Sequence, residues 1–156
     1  MKLVFCSVGK AHEPFLKTGI ETYTGRIQNY FPVEWLLIAP AKNGSLSEPE
    51  QKKGEATAIR QVLKEGDYLV ALDENGKLLT SERLSQFVQQ RASSSVKRLL
   101  FLIGGAYGLD QTILAHASFT WSLSPLTFPH QLVRLILAEQ VYRACTILRN
   151  EKYHHK

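Results

Sequence analysis

Short apolar runs, separated by longer segments with helical spacing, divide this chain into alternating elements. Each run has the length of a strand and is bounded by polar or turn-forming residues; the first two end at Gly9 and Pro40. The runs predict five strands, which cover Leu3–Val8, Val33–Ala39, Asp67–Asp73, Arg98–Ile103 and Phe119–Leu123.

The segments between the strands place apolar residues at helical spacing and begin with residues that favour helix starts. The predicted helices begin at Pro14, after a capping box of Ser47 and Glu50, at a Ser81 cap and after an Asp110 cap, and the last covers Gln131–Asn150. Asn75-Gly76 predicts a turn and residues 42–47 a polar loop. This alternation predicts a single α/β domain over residues 1–156, with a mostly parallel sheet of five or six strands and helices on both faces.

The last predicted helix is apolar on nearly all sides. A helix that covers one face of a sheet needs only one apolar stripe, so this helix has more apolar surface than that packing uses. Either it runs deep inside the monomer or its outer side meets a second subunit. In a chain of 156 residues the second explanation is favoured, and the sequence predicts a homodimer.

Composition and charge narrow the class of protein. The chain is 44% hydrophobic and 21% charged, which is typical of a soluble globular domain. Its net charge of +5 fits an anionic partner such as RNA, although many basic proteins are simply kept soluble by such a charge. No run is long enough for a signal-peptide core or a membrane span, so we expect a cytoplasmic protein with no membrane partner.

The two cysteines, Cys6 and Cys145, lie in a predicted strand and a predicted helix. Their spacing is not that of metal ligands or of a redox pair, and both are interpreted as small core residues. No metal is expected. A disulfide is not needed to explain the chain, which favours a reducing compartment.

Two loops near the carboxyl end are the strongest candidates for a ligand site. Gly104, Gly105 and Gly108 follow the fourth strand, where glycine lets the backbone approach a ligand, or simply forms a turn. Leu123–His130 follows the fifth strand and holds Pro125 and Pro129; it is either a ligand loop or a buried connection. Together the loops would form a cradle of backbone groups for an adenosine-like ligand.

Four side chains are candidates for chemistry beside this cradle. His130 begins the last helix, where the helix dipole lowers its pKa and favours a neutral base; otherwise it is an exposed cap. Arg143 would hold a phosphate or a developing negative charge, or pair with Glu139 four residues earlier. Tyr153 and His154 would stack on and orient an RNA base, unless the tail frays.

Taken together, the motifs resemble the RlmH-type SPOUT methyltransferases, which methylate a pseudouridine of large-subunit ribosomal RNA. The resemblance covers the chain from end to end. It rests on Val8-Gly9-Lys10, Leu72-Asp73 with Gly76-Lys77, Gly104-Gly105-x-x-Gly108-Leu109, Leu-Ser-x-Leu-Thr-Phe-Pro-His at 123–130, Arg134, Glu139-Gln-x-Tyr-Arg143-Ala and Tyr153-His154.

This resemblance implies a C-terminal trefoil knot, a homodimer formed through the knot region and S-adenosylmethionine as the cofactor. It implies methylation of N(3) of a pseudouridine in 23S ribosomal RNA, on the large subunit or the assembled ribosome. The positions that match the family's cofactor contacts are Leu72, Gly104, Leu123, Ser124, Pro125, Leu126, Thr127 and Phe128. Those that match its catalytic positions are His130, Arg143, Tyr153 and His154, with His130 favoured as the base over His154.

Two features depart from the family pattern. Pro125 has no N–H group, so it cannot donate a hydrogen bond to a ligand. The tail continues through His155 to Lys156, one residue beyond the usual ending. Two other functions remain open to the residues alone: an RNA-binding or ribosome-associated module whose glycines merely turn the chain, and a nucleotide-binding domain that acts on a small molecule.

Overall fold

The computed structural model describes residues 1–40 and 45–155, and over these ranges strands and helices alternate. The strands are β1 (Lys2–Val8), β2 (Val33–Ile38), β3 (Asp67–Leu78), β4 (Arg98–Ile103) and β5 (Phe119–Ser122). The helices are α1 (Pro14–Ile27), α2 (Glu48–Val62), α3 (Ser81–Ala92), α4 (Gln111–His116) and α5 (His130–Leu148). Residues 42–44 of the predicted loop lie outside the described residues.

The strands form one sheet in the order β2-β1-β4-β3-β5, and all the pairings are parallel. This confirms the predicted α/β class and the mostly parallel sheet. After β1 the chain crosses to one edge of the sheet, and after β4 it crosses to the other. The carboxyl ends of β1 and β4 therefore flank the point where the topology switches direction, the usual place for a ligand in an open α/β sheet.

Two apolar layers cover the sheet, which confirms helices on both faces. Helices α1, α3 and α5 pack on one face, where Phe5 and Phe101 point, and α2 and α4 pack on the other, around Val4 and Leu102. Cys6 and Cys145 are fully buried in opposite layers, as expected of core residues. Burial raises the pKa of each thiol to about 12.

Helix α5 lies between α1 and α3, so much of its apolar surface is used inside the monomer. Leu137, Ala138 and Val141 are completely buried there. Leu132 and Ile136 are only half-buried and remain available for a partner. Helix α5 contains charged residues, and none of the helices in the described ranges has a stretch apolar and long enough to cross a membrane.

Two local predictions were wrong. Asn75-Gly76 does not end a strand, because β3 continues to Leu78 with an irregularity in which both Leu72 and Lys77 pair with Trp121. The extra residues bulge out of the ladder and return at Gly76, where a Cβ atom would lie 2.6 Å from the carbonyl carbon of Trp121. A side chain there would collide with the backbone of β5.

The other wrong prediction concerns the start of α3. The cap is Thr80, which accepts a hydrogen bond from the backbone N–H of Arg83 at 3.2 Å. The Ser81 hydroxyl instead donates to Gln140 of α5 at 3.2 Å. By contrast, the capping box of Ser47 and Glu50 and the Asp110 cap are confirmed.

Candidate active site

A cavity of about 500 Å³ opens at the carboxyl edge of β3, β4 and β5, within the usual size range of small-molecule sites. The loops that follow β4 and β5 form two of its walls, which confirms that they lie beside each other. Of the residues predicted to hold a cofactor, it is lined by Leu72, Gly104, Leu123, Ser124, Leu126, Thr127 and Phe128. Pro125 is exposed and does not line it.

The loop after β4 owes its shape to glycine. A Cβ atom at Gly104 would lie 2.8 Å from the carbonyl carbon of Gly108 and 3.0 Å from the nitrogen of Leu109. Gly108 has a φ of +78°, in the left-handed region that favours glycine. These glycines therefore form a tight turn, and the same turn presents its backbone to the cavity.

The loop after β5 is held by its own serines. Ser122 Oγ donates to the carbonyl oxygen of Ser124 at 3.1 Å, and Ser124 Oγ accepts from the N–H of Leu126 at 2.9 Å. The backbone N–H groups of Thr127 and Phe128 donate to no other described residue. These donors are therefore available to a ligand in the cavity, which is also lined by the exposed Leu126.

Sequence reasoning missed part of the lining. The bulge of β3 contributes Asp73, Glu74 and Asn75, and β5 contributes Trp121. Trp121 Nε1 is buried and has no hydrogen-bond partner among the residues that the structure describes. The sequence signal for the bulge of β3 was Asn75-Gly76 after an apolar run. This pair was interpreted instead as a turn between two elements.

His130 lines the cavity as the first residue of α5. Its Nε2 atom is buried and has no partner in the described ranges. Burial lowers the pKa of this imidazole, and the nearby positive charge of Arg134 lowers it further, against a smaller opposing effect of Glu13. The predicted direction is confirmed, with burial as the main cause. A neutral ring with a free nitrogen suits a proton acceptor.

A second crevice of about 470 Å³ lies next to the cavity, between the ends of β1 and β4. His130, Gly105 and Ala106 line both spaces, so they form the wall between them. Sequence reasoning used Arg134, which lies behind His130, only as part of a motif, and it missed Glu55, which lines this crevice.

Arg134 is completely buried in α5. Its guanidinium donates to Ser7 Oγ at 3.0 Å, to the carbonyl oxygen of Lys10 at 2.9 Å and to His12 Nδ1 at 3.2 Å. It forms no ion pair with any described residue, and its Nη2 atom has no partner among them. It therefore fixes the loop after β1 and brings a positive charge to one side of the crevice.

Arg143 and Tyr153 form a separate cluster near the other end of α5. Arg143 forms an ion pair with Glu139, which is the simpler of the two predicted roles, and its guanidinium lies 4.8 Å from the centre of the Tyr153 ring. The Tyr153 hydroxyl donates to Glu139 Oε1 at 3.0 Å. The hydrogen bond that Arg143 donates to Glu139 is the main cause that raises the pKa of Arg143, and burial is the main cause that raises the pKa of Tyr153.

His154 belongs to the same cluster and packs towards α3. Its Nε2 atom is 3.3 Å from Glu82 Oε1. The tail is therefore docked on the domain as far as these residues. Arg143 is thirteen residues after His130 on one helix, which separates them by about 20 Å along its axis. One chain does not bring the four predicted catalytic residues together.

The amino-acid sequence of this chain is similar to those of known proteins. A family model described as "Predicted SPOUT methyltransferase" matches residues 1–154. A protein of Cytophaga hutchinsonii named ribosomal RNA large subunit methyltransferase H is 43% identical over 155 residues, which is 99% of this chain and 100% of the relative. A protein of the same name from Parabacteroides distasonis is 43% identical over 157 residues and all of both chains.

Solved structures agree with this chain in fold. A probable methylase family protein from Haemophilus influenzae aligns with a TM-score of 0.54 and 10% identity over 99% of this chain and 70% of that one. A protein from a structural study of 2-OH methylation of C/U34 on tRNA aligns with a TM-score of 0.50 and 16% identity, over 93% of this chain and 97% of that one. At such low sequence identity these similarities support the fold alone.

Proposed function

Because this chain belongs to the SPOUT methyltransferase family and is an enzyme, we propose that it transfers a methyl group from S-adenosylmethionine to N(3) of a pseudouridine in 23S ribosomal RNA. The names of its relatives support a large-subunit ribosomal RNA as the substrate. The single observation that carries the proposal is the cavity between the two loops, with unpaired donors inside it and His130 at its edge.

The residues of the cavity fit the proposed cofactor. The free backbone N–H groups of Thr127 and Phe128 and the buried Trp121 Nε1 are donors that a ligand would satisfy. Leu72, Gly104 and the loop from Leu123 to Phe128 would hold the adenosine and the methionine portion, with Pro125 shaping the loop rather than donating. When bound, S-adenosylmethionine supplies a methyl group on a positively charged sulfur, which is released as a neutral thioether.

The proton on N(3) of the target base must leave for the ring nitrogen to accept a methyl group. We assign this step to His130 Nε2, which accepts the proton as the N(3)–H bond breaks. The electron pair left on N(3) would then form the bond to the methyl carbon as the bond from that carbon to sulfur breaks. Its lowered pKa keeps the imidazole neutral near pH 7, which this step requires. His154 is a weaker candidate, since its Nε2 already faces Glu82 at 3.3 Å.

A homodimer would bring the four catalytic candidates together, with residues of both protomers at each site. In a two-fold dimer formed along α5, each tail cluster can lie beside the His130 end of the partner. The half-buried Leu132 and Ile136 supply apolar surface for that contact. Arg143 would then steady the oxygen that gains negative charge on the base, or a neighbouring phosphate, and Tyr153 would stack on or orient the base.

The remaining parts of the proposal follow from membership of the family. The single domain of residues 1–156 would carry a trefoil knot at its C-terminal end, where α5 follows the loop of the cofactor site. The net charge of +5 suits an RNA partner. Methylation of ribosomal RNA on the large subunit or the assembled ribosome would place the enzyme in the cytoplasm.

The cofactor assignment is tested by replacing Gly104 with alanine. We expect S-adenosylmethionine affinity to fall by more than about tenfold, because the new Cβ would meet the Gly108 backbone at 2.8 Å and the loop would have to shift. Isothermal titration calorimetry measures the affinity directly. The matched control is Gly25→Ala, since a Cβ at Gly25 meets nothing within 4 Å. Unchanged affinity in Gly104→Ala would contradict the loop assignment, and a native protein that fails to bind would contradict the proposed function.

A further inference from the structure

The crevice between β1 and β4 has an unusual pair of walls. Ser7 pairs with Ile103 in the last step of the β1–β4 ladder, and two residues later the two chains carry Gly9 and Gly105. Both glycines lie beyond the paired ends of their strands, and both line the crevice. Neither has a side chain, and polar groups from the two helical layers fill the space above each of them.

Above Gly9 the polar groups come from α5. A Cβ atom on Gly9 would lie 2.9 Å from both Arg134 Nη2 and His130 Nε2, and neither nitrogen has a hydrogen-bond partner among the described residues. This side of the crevice therefore combines a buried positive charge with an imidazole nitrogen that can accept a proton.

Above Gly105 the polar group comes from α2, on the other face of the sheet. A Cβ atom there would lie 2.7 Å and 2.8 Å from the two carboxylate oxygens of Glu55. Glu55 is 4% exposed, and its hydrogen bond is from Gln51 Nε2, at 3.1 Å. None of the ion pairs within residues 1–40 and 45–155 includes it. A nearly buried carboxylate with one neutral partner retains unused acceptor capacity.

We propose that this crevice holds the target base, and that the Glu55 carboxylate accepts a hydrogen bond from N1–H, the group that pseudouridine has and uridine lacks. The inference rests on the proposed function and adds to it the means of distinguishing the two bases. Pseudouridine is joined to its ribose through carbon, so the ring edge opposite that bond carries N1–H, a carbonyl oxygen and N3–H. Uridine uses N1 for the bond to ribose and cannot offer that donor.

The arrangement of charges matches this edge. With N1–H directed at Glu55, N3–H lies on the side of His130, which also borders the cofactor cavity. The carbonyl oxygen between them is attracted to the positive charge of Arg134. A site built to bind a donor discriminates strongly against an analogue without it, because its buried acceptor is then left unpaired.

The test compares two substrates and four forms of the enzyme. The substrates are ribosomes that carry pseudouridine at the target position and ribosomes from cells without the responsible pseudouridine synthase. Each substrate is incubated with the native protein, Glu55→Leu, Glu55→Gln and Glu48→Gln. Glu48 is an exposed residue at the start of the same helix, so its substitution controls for charge and for the helix. Methyl incorporation gives the preference for pseudouridine over uridine, and calorimetry gives the cofactor affinity.

We expect the native protein and Glu48→Gln to prefer pseudouridine over uridine. In Glu55→Leu this preference should fall by about 10- to 100-fold, because the rate falls on pseudouridine and not on uridine. Glu55→Gln, which keeps the shape and a weaker acceptor, should lose less and provides the test if Glu55→Leu does not fold. Retained preference in both Glu55 variants would overturn the inference, as would a loss of cofactor affinity, which would place Glu55 against the cofactor. Native protein that methylates both ribosomes equally also overturns it but leaves the proposed function intact, whereas methylation of neither refutes the proposed function.

Discussion

Replacing His130 with alanine is expected to reduce methyl transfer by about 10²- to 10⁴-fold, the usual contribution of a general base. The side chain lines both the cofactor cavity and the crevice beside it, and its Nε2 atom has no partner among the described residues. Cofactor affinity should stay within a few-fold of the native value, since the donors assigned to the cofactor lie elsewhere. Single-turnover rates with saturating cofactor measure the chemical step.

Two further measurements separate a base from a structural residue. Because the pKa of His130 is lowered from 6.5, the native rate should be constant above that pKa and fall as the pH drops through it and the ring takes up a proton. This acid limb should disappear in His130→Ala. His116→Ala, on the exposed side of α4, should behave as the native protein does. An unchanged single-turnover rate in His130→Ala would remove this residue from the chemistry.

The sequence predicted the architecture well because each element carried its own signal. Ser47 with Glu50 and Asp110 satisfy the first turns of their helices locally, and the structure places them as expected. The misplaced turn at Asn75-Gly76 shows the limit of such reasoning. Gly76 is required by the backbone of Trp121 and Ser122, which are more than forty residues away in sequence. A pattern of neighbouring residues cannot predict a contact between residues so far apart in sequence.

The site was predictable only where it lies close to a strand end. Gly104 and the loop from Leu123 to Phe128 follow β4 and β5 directly, so the parallel sheet alone brings them together. Glu55 comes from the middle of α2 and Arg134 from the second turn of α5, on opposite faces of the sheet, and a charged residue in a helix is usually exposed. Their burial depends on facing glycines at the ends of two other strands, and only the assembled sheet shows it.

The largest gain of activity is expected when two inactive variants share a dimer. If the tail cluster of one protomer completes the site around His130 of the other, a heterodimer of His130→Ala with Arg143→Ala places both defects in one site and leaves the other site intact. Such heterodimers, purified through two different tags, should have about half of the native activity per dimer, since one of two symmetric sites works. Each homodimer should be inactive.

The matched control places both substitutions on one chain. A heterodimer of the native chain with the His130→Ala, Arg143→Ala double variant has the same composition, but a shared site leaves each of its two sites with one defect, so it should be inactive. If each chain instead completed its own site, the results would be reversed: the first heterodimer would be inactive and the second about half active. The first outcome follows from the separation of about 20 Å between His130 and Arg143 along one rigid helix, which no side-chain movement can close.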